Sequence, residues 1–260
     1  MQRIIETSQP SVGLVIGTFA AVPYVHLQLE SRRRNYPKLP VLVHDDGSAL
    51  GGELSDLCLR YRADFVAAKE RHPHFVGDLA AFVAGFDWAR QNGVEVLVKF
   101  SRRFVPLYDW VPELQGQAYM TQYATYSSRC IHYGFGFRTE CVAMHVQSWF
   151  ANHAVDGIRD RVLAGQGCFV EKFIHDLARA VHRNNCEQNR ECEKLGAKPE
   201  SIAAYGDWLL SGISRHLPRP NVLWHNYAAP EAYAAQANNY GLRYGVQDFR
   251  DPNQGYGLVP

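Results

Sequence analysis

Between residues 11 and 106, short β-branched runs alternate with longer amphipathic stretches, and that rhythm restricts the chain to βαβ units laid on a parallel sheet. Val12 to Ile16 reads as a first strand, stopped at Gly17-Thr18. Val22 to Asn35 follows as a helix with Val22, Val25 and Leu29 on one face and Arg32-Arg33-Arg34 at its end. Leu39 to His44 is a second strand, broken by Asp45-Asp46-Gly47-Ser48, residues that suit a tight turn and the cap of the next helix. Leu50, Leu54, Leu57, Cys58 and Tyr61 then recur at helical spacing. Ala63 to Ala68 is a third strand. After His72-Pro73-His74 a helix turns Val76, Leu79, Ala80, Val83 and Phe86 to one side, and Val94 to Phe100 closes the unit as a buried fourth strand.

Composition removes several function classes. The 260 residues are 47% hydrophobic and 20% charged, enough apolar material for a sizeable core and unlike a disordered chain. A formal net charge of +1 leaves no global field to draw the protein onto nucleic acid or an anionic membrane. Met1 to Pro10 is polar, and no apolar run approaches the ~20 residues that span a bilayer, so the expectation is a cytoplasmic chain without a transmembrane segment. Cys58, Cys130, Cys141, Cys168, Cys186 and Cys192 are scattered without a C-x-x-C pair, which reads as reduced, structural thiols with no metal site.

Ligands on parallel α/β sheets bind beyond the carboxyl ends of the strands. The residues that end the runs here are Thr18, Asp45, Asp46, Lys99, Arg102 and Arg103. Two carboxylates after the second strand suit a ribose diol or the N–H edge of a base, and cations after the fourth suit a diphosphate. Each residue has an ordinary structural reading as well, with Asp45 as a turn former, Ser48 as a cap and the arginines as surface charges. Their shared place at strand ends is what points to a nucleotide pocket.

The segment Val12 to Phe19, the run Leu39-Pro40-Val41-Leu42-Val43-His44-Asp45-Asp46-Gly47-Ser48 and the spacing to Val94–Pro106 resemble GT-A glycosyltransferases, especially family 2. The resemblance covers residues 1–110. It implies a Rossmann-like, mostly parallel sheet flanked by helices, a nucleoside diphosphate sugar as donor and co-substrate, and contacts from Asp45 or Asp46 to the nucleoside. Such enzymes end the fourth strand in an Asp-x-Asp metal motif. This chain has Lys99-Phe100-Ser101-Arg102-Arg103 there instead. Fixed guanidinium groups neutralise a leaving diphosphate without an ion, so the expectation is a metal-independent enzyme with no cofactor. A non-catalytic, GT-A-shaped nucleotide-sugar or glycan binding protein is the alternative.

Residues 111–260 form the expected acceptor-binding and catalytic half of the same fused domain. Tyr108, Trp110, Tyr119, Tyr123, Tyr126, Tyr133, Phe135 and Phe137 suit either sugar platforms for a saccharide or glycoconjugate acceptor or a half-buried strand. Gly134 to Glu140 reads as a loop leading into a helix capped by Thr139, with Val142, Val146 and Trp149 on its buried face. Phe169, Phe173, Ile174, Leu177 and Val181 keep helical spacing, and Glu171 near that helix start resembles the acidic general base of inverting GT-A enzymes. Glu140 and Asp176 are the other candidate bases. Further helices are expected at Cys186–Lys194 and Ile202–Ile213, a strand at Val222-Leu223-Trp224 ending in His225 beside the donor phosphates, and a lid from Tyr240 to Pro260. A dinucleotide-dependent oxidoreductase is disfavoured because Gly17-Thr18-Phe19-Ala20-Ala21 lacks G-x-G-x-x-G spacing. A sugar nucleotidyltransferase would want a glycine-rich, basic first loop.

Overall fold

A computed structural model describes residues 11–115, 125–129, 137–188, 222–224 and 228–250. The N-terminal units run β1 (Val12–Thr18), α1 (Val22–Asn35), β2 (Val41–Asp45), α2 (Gly51–Tyr61), β3 (Asp64–Ala67), α3 (His74–Gln91) and β4 (Val96–Ser101). Then come β5 (Val105–Pro106), α4 (Val111–Gln115), β6 (Thr125–Arg129), β7 (Phe137–His145), α5 (Val146–Ala151), α6 (Ala154–Leu163), α7 (Val170–Gln188), β8 (Val222–Leu223), α8 (Pro230–Asn239) and a 3-10 turn at Val246–Phe249. The main sheet has the order β3-β2-β1-β4-β7-β6, parallel through β4 and antiparallel at β7 and β6.

Alternation along the strands builds a core on each face. Leu14 and Ile16 of β1, Val41 and Val43 of β2, and Val96, Val98 and Phe100 of β4 pack with Val22, Val25 and Leu29 of α1 and Leu54, Leu57 and Cys58 of α2. Val15, Leu42 and Leu97 point the other way, onto Leu79, Phe82 and Phe86 of α3 and onto α5, α6 and α7. A third cluster joins Tyr24 and Leu27 of α1 to Tyr233, Ala234 and Ala237 of α8 and to Phe249. Helix α1 is therefore covered on two sides. Its polar residues Gln28, Glu30 and Ser31 are each no more than 2% exposed.

The structure revises one element. Phe137–His145 is a strand, where the sequence predicts a loop and then a helix capped by Thr139. Cys141 and Ala143 fill one core while Val142 and Met144 fill the other, so β7 is buried on both faces and shows no period of two. The helix that contains Val146 and Trp149 begins only after His145. The two aromatics nearest β4 also belong to the core: Trp110 is fully buried and Tyr108 packs against the same cluster. Of the remaining C-terminal expectations, β8 and α7 lie where the sequence suggests. The expected helix at Ile202–Ile213, most of that at Cys186–Lys194, and residues 251–260 of the lid lie outside the described residues. Among the described residues no helix is long and apolar enough to cross a membrane.

Candidate functional site

The chain leaves β1 toward β2 and β3 but returns to β4 on the other side, so a crevice opens beyond the carboxyl ends of β1 and β4. Register fixes its walls: Thr18 stands opposite Asp45, and Gly17 opposite Ser101. Asp45 is fully buried, and its Oδ2 accepts from the Ser48 backbone N–H and hydroxyl, both at 2.9 Å. Its Oδ1 is buried with no hydrogen-bond partner, as is the Thr18 hydroxyl, among the described residues. The two side chains lie on the same face of adjacent strands. A buried polar oxygen left without a donor costs about 1–3 kcal/mol, and more when it carries charge, so the pair forms a polar notch suited to a ligand that supplies an N–H or O–H.

Asp46 is held differently. Its backbone N–H closes the crevice rim by donating to Thr18 O at 2.9 Å. Its Oδ1 lies 2.6 Å from His72 Nδ1, and its Oδ2 occupies the space a side chain at Gly77 would need, 2.1 Å from an ideal Cβ there. A carboxylate so close to the start of α3 is favoured by the helix dipole. Gly47 has φ +69, and a Cβ there would stand 2.6 Å from the Glu70 carbonyl carbon, so the Asp-Gly turn seats directly on the 70–72 segment. His44, on the α3 side, is 5% exposed; burial lowers its pKa, opposed by the charges of Asp46 and Asp45.

Strand β4 ends at Ser101. The next residues form a β-turn closed by Phe104 N–H donating to Ser101 O at 3.1 Å, so Arg102 and Arg103 sit at the turn corners and strand alternation does not govern them. Arg102 Nη1 donates to Phe19 O at 3.0 Å, which carries its guanidinium across the crevice from the end of β4 to the end of β1. Arg71 stacks over the Phe19 ring at 4.0 Å from its centroid. Lys99 lies two residues before the end of the strand, facing α3. Its fully buried ammonium donates to Asp78 Oδ1 at 2.5 Å and to Thr139 O at 3.0 Å, so its charge is already neutralised within the protein.

On the proposed acceptor side, Glu171 is half-buried in the first turn of α7. Glu140 is buried on β7, one residue beyond the Phe100–Cys141 pairing and therefore level with the end of β4. Asp176 is an exposed partner of Lys172 and His175. His225 lies outside the described residues. Sequence reasoning missed Asp78, His72, Gln28 and Tyr233. Gly77 inside a helix was an available signal for the close approach of Asp46 to α3.

No family model matches the sequence, and no curated protein matches it significantly. Among solved structures, the fold is similar to that of the glycosyltransferase GlyE of Streptococcus pneumoniae TIGR4, with a TM-score of 0.55 at 10% identity over 92% of this chain. The apo form of the same protein gives a TM-score of 0.52 at 10% identity over 92% of this chain. In both comparisons the chain spans only 62% of the other protein's length. At this identity the likeness speaks to architecture alone: a mostly parallel, helix-flanked sheet of the kind found in glycosyltransferases.

Proposed function

We propose that the protein is a GT-A-type glycosyltransferase that moves a sugar from a nucleoside diphosphate donor to an acceptor hydroxyl without a divalent ion. The observation that carries this reading is the notch at the ends of β1 and β2, where Asp45 Oδ1 and the Thr18 hydroxyl are buried and, among the described residues, unpartnered beside the crevice that Arg102 crosses. The nucleoside binds at the notch, with Asp46 fixing the turn that presents it. The diphosphate lies toward Arg102 and Arg103, and Lys99 supports the floor through Asp78.

In the reaction, the acceptor oxygen attacks the anomeric carbon, the bond to the diphosphate oxygen breaks, and the acceptor proton passes to a carboxylate. Glu171 is assigned that proton, because it is a half-buried carboxylate in the first turn of α7, in the half of the chain that would hold the acceptor. Charge developing on the departing oxygen is met by a guanidinium, whose fork suits phosphate and never loses its proton. The turn after β4 offers no carboxylate to hold a metal on that diphosphate.

Calorimetry with UDP, GDP and dTDP tests the donor site. At least one should bind in the presence of chelator, and Asp45→Ala/Asp46→Ala should weaken it strongly. Unchanged affinity in the folded double variant removes the assignment. With a turning-over donor, Arg102→Gln should cost about 2–4 kcal/mol in transition-state stabilisation, and Arg102→Lys should recover part of it. Glu171→Gln should abolish turnover while keeping nucleotide affinity; if it does not, Glu140→Gln is the variant that should. A requirement for manganese or magnesium contradicts the metal-free mechanism.

A further inference from the structure

Three carbonyls of the turn that carries Arg102 and Arg103 are held by side chains from other elements. Gln28, 2% exposed on α1, directs its amide nitrogen to Ser101 O at 2.8 Å and to Phe104 O at 2.7 Å. Tyr233, 1% exposed on α8, donates its hydroxyl to Arg103 O at 2.6 Å. Ser31 donates to Pro106 O just beyond the turn. The Tyr233 ring is itself fixed, stacked on Phe249 with centroids 5.8 Å apart and meeting Tyr24 edge-on at 5.0 Å.

A surface turn ordinarily leaves its carbonyls to water. Here buried donors from two helices converge on one four-residue turn, and Phe104, its last residue, is itself fully buried. The turn therefore has little freedom to rock. Arg102 reaches from it to Phe19 O on the far side of the crevice, so the clamp fixes where that guanidinium starts. Recognition of a phosphate by a guanidinium fork depends on such fixing, since small misplacements lose the paired hydrogen bonds.

Resting on the donor-site reading above, we infer that Gln28 and Tyr233 are positioning residues for the Arg102–Arg103 turn, so that diphosphate affinity is set through a hydroxyl on α8, 130 residues along the chain from the turn it holds. Neither touches the ligand. They act by keeping the turn, and with it Arg102, in one place.

The test uses Tyr233→Phe, which removes one hydroxyl and keeps the ring contacts, on the full chain. Binding of UDP, GDP or dTDP, whichever binds the unaltered protein, is followed by NMR titration, which reaches weak affinities. Tyr233→Phe should weaken binding about tenfold, and the same change in an Arg102→Gln background should weaken it less than about twofold, because contacts that act through one another are not additive. Tyr24→Phe is the control: its hydroxyl donates to Phe249 O in the same cluster but not to the turn, so it should lower stability and leave affinity unchanged. Gln28→Met should follow Tyr233→Phe if it folds. Equal losses from Tyr233→Phe in both backgrounds, or equal losses from Tyr24→Phe and Tyr233→Phe, overturn the clamp while leaving the donor site standing. Absence of binding by any of the three nucleotides to the unaltered protein removes the donor site and the clamp together.

Discussion

The Tyr61 hydroxyl donates to Glu30 Oε2 at 2.9 Å, and that bond sets the direction of every proton in the network around it. Because Tyr61 gives its proton to the carboxylate, its oxygen accepts from His26 Nε2 at 2.9 Å, which leaves Nδ1 to accept from the Tyr244 hydroxyl at 2.8 Å. Residues on α1 and α2 are thereby tied to the segment that follows α8.

Acid should loosen this network in two stages. Burial alone would raise the pKa of Glu30, but hydrogen bonds from Arg33, Arg34 and Tyr61 outweigh it and bring the value from 4.5 to about 2. A carboxylate depressed by folding contributes stability in full above about pH 4.5, and the contribution is lost as pH falls through about 2. The two arginines are 58% and 42% exposed. Screening at those groups holds the expected effect to roughly 1–3 kcal/mol. Denaturation of the unaltered protein and Glu30→Gln at pH 7, 4 and 2.5 should show the difference shrinking with acid; a gap that stays constant contradicts it.

His26 acts at higher pH. Burial chiefly, and the charge of Arg60, lower its pKa from 6.5, with Glu30 opposing. The unfolded chain then takes up a proton that the folded one refuses, so stability should decline as pH falls below about 6.5. His26→Gln should flatten that slope, as seen in melting temperatures between pH 7.5 and 5.5.

The Lys99–Asp78 pair should respond asymmetrically to removal of either partner. Asp78→Asn leaves a buried ammonium without a counter-charge and should cost about 2–3 kcal/mol. Lys99→Met leaves Asp78, 32% exposed, in contact with water and should cost about half as much. The double variant should be more stable than Asp78→Asn alone, as measured by urea unfolding of all four proteins. Independent, additive costs would show that the pair does not interact.

Gly77→Ala reverses an ordinary expectation. In an exposed helix interior, alanine is favoured over glycine by about 1 kcal/mol. At Gly77 a Cβ would lie 2.1 Å from Asp46 Oδ2, so the substitution should destabilise by roughly 1–3 kcal/mol and push the carboxylate off His72. A raised melting temperature would contradict the packing described.

Much of this site is legible in the sequence because strand ends announce themselves. Thr18 and Asp45 close apolar runs, and the parallel register brings them together without help from the rest of the chain. The bounds of α1 follow from its periodicity. Lys99 is less legible: it lies within β4, and the partner that neutralises it is 21 residues away on a helix. The buried polar residues of α1 are hidden for a similar reason: Gln28 and Ser31 find their partners in the carbonyls of residues 101–106, and Glu30 accepts from Tyr61 of α2 as well as from Arg33 and Arg34. Strand β7 was obscured because burial on both faces erased its alternation.

The direct pairing of β4 with β7 bears on how the molecule can be divided. The first 110 residues look like a module to be cut out and grafted, yet severing the chain there would strip β7 from β4 and bare the backbone groups of Val96–Phe100 along an open edge. Apolar strands with open edges recruit one another, so the excised fragment should aggregate rather than stand alone. In this protein the two halves of the sequence are joined by a ladder of backbone hydrogen bonds.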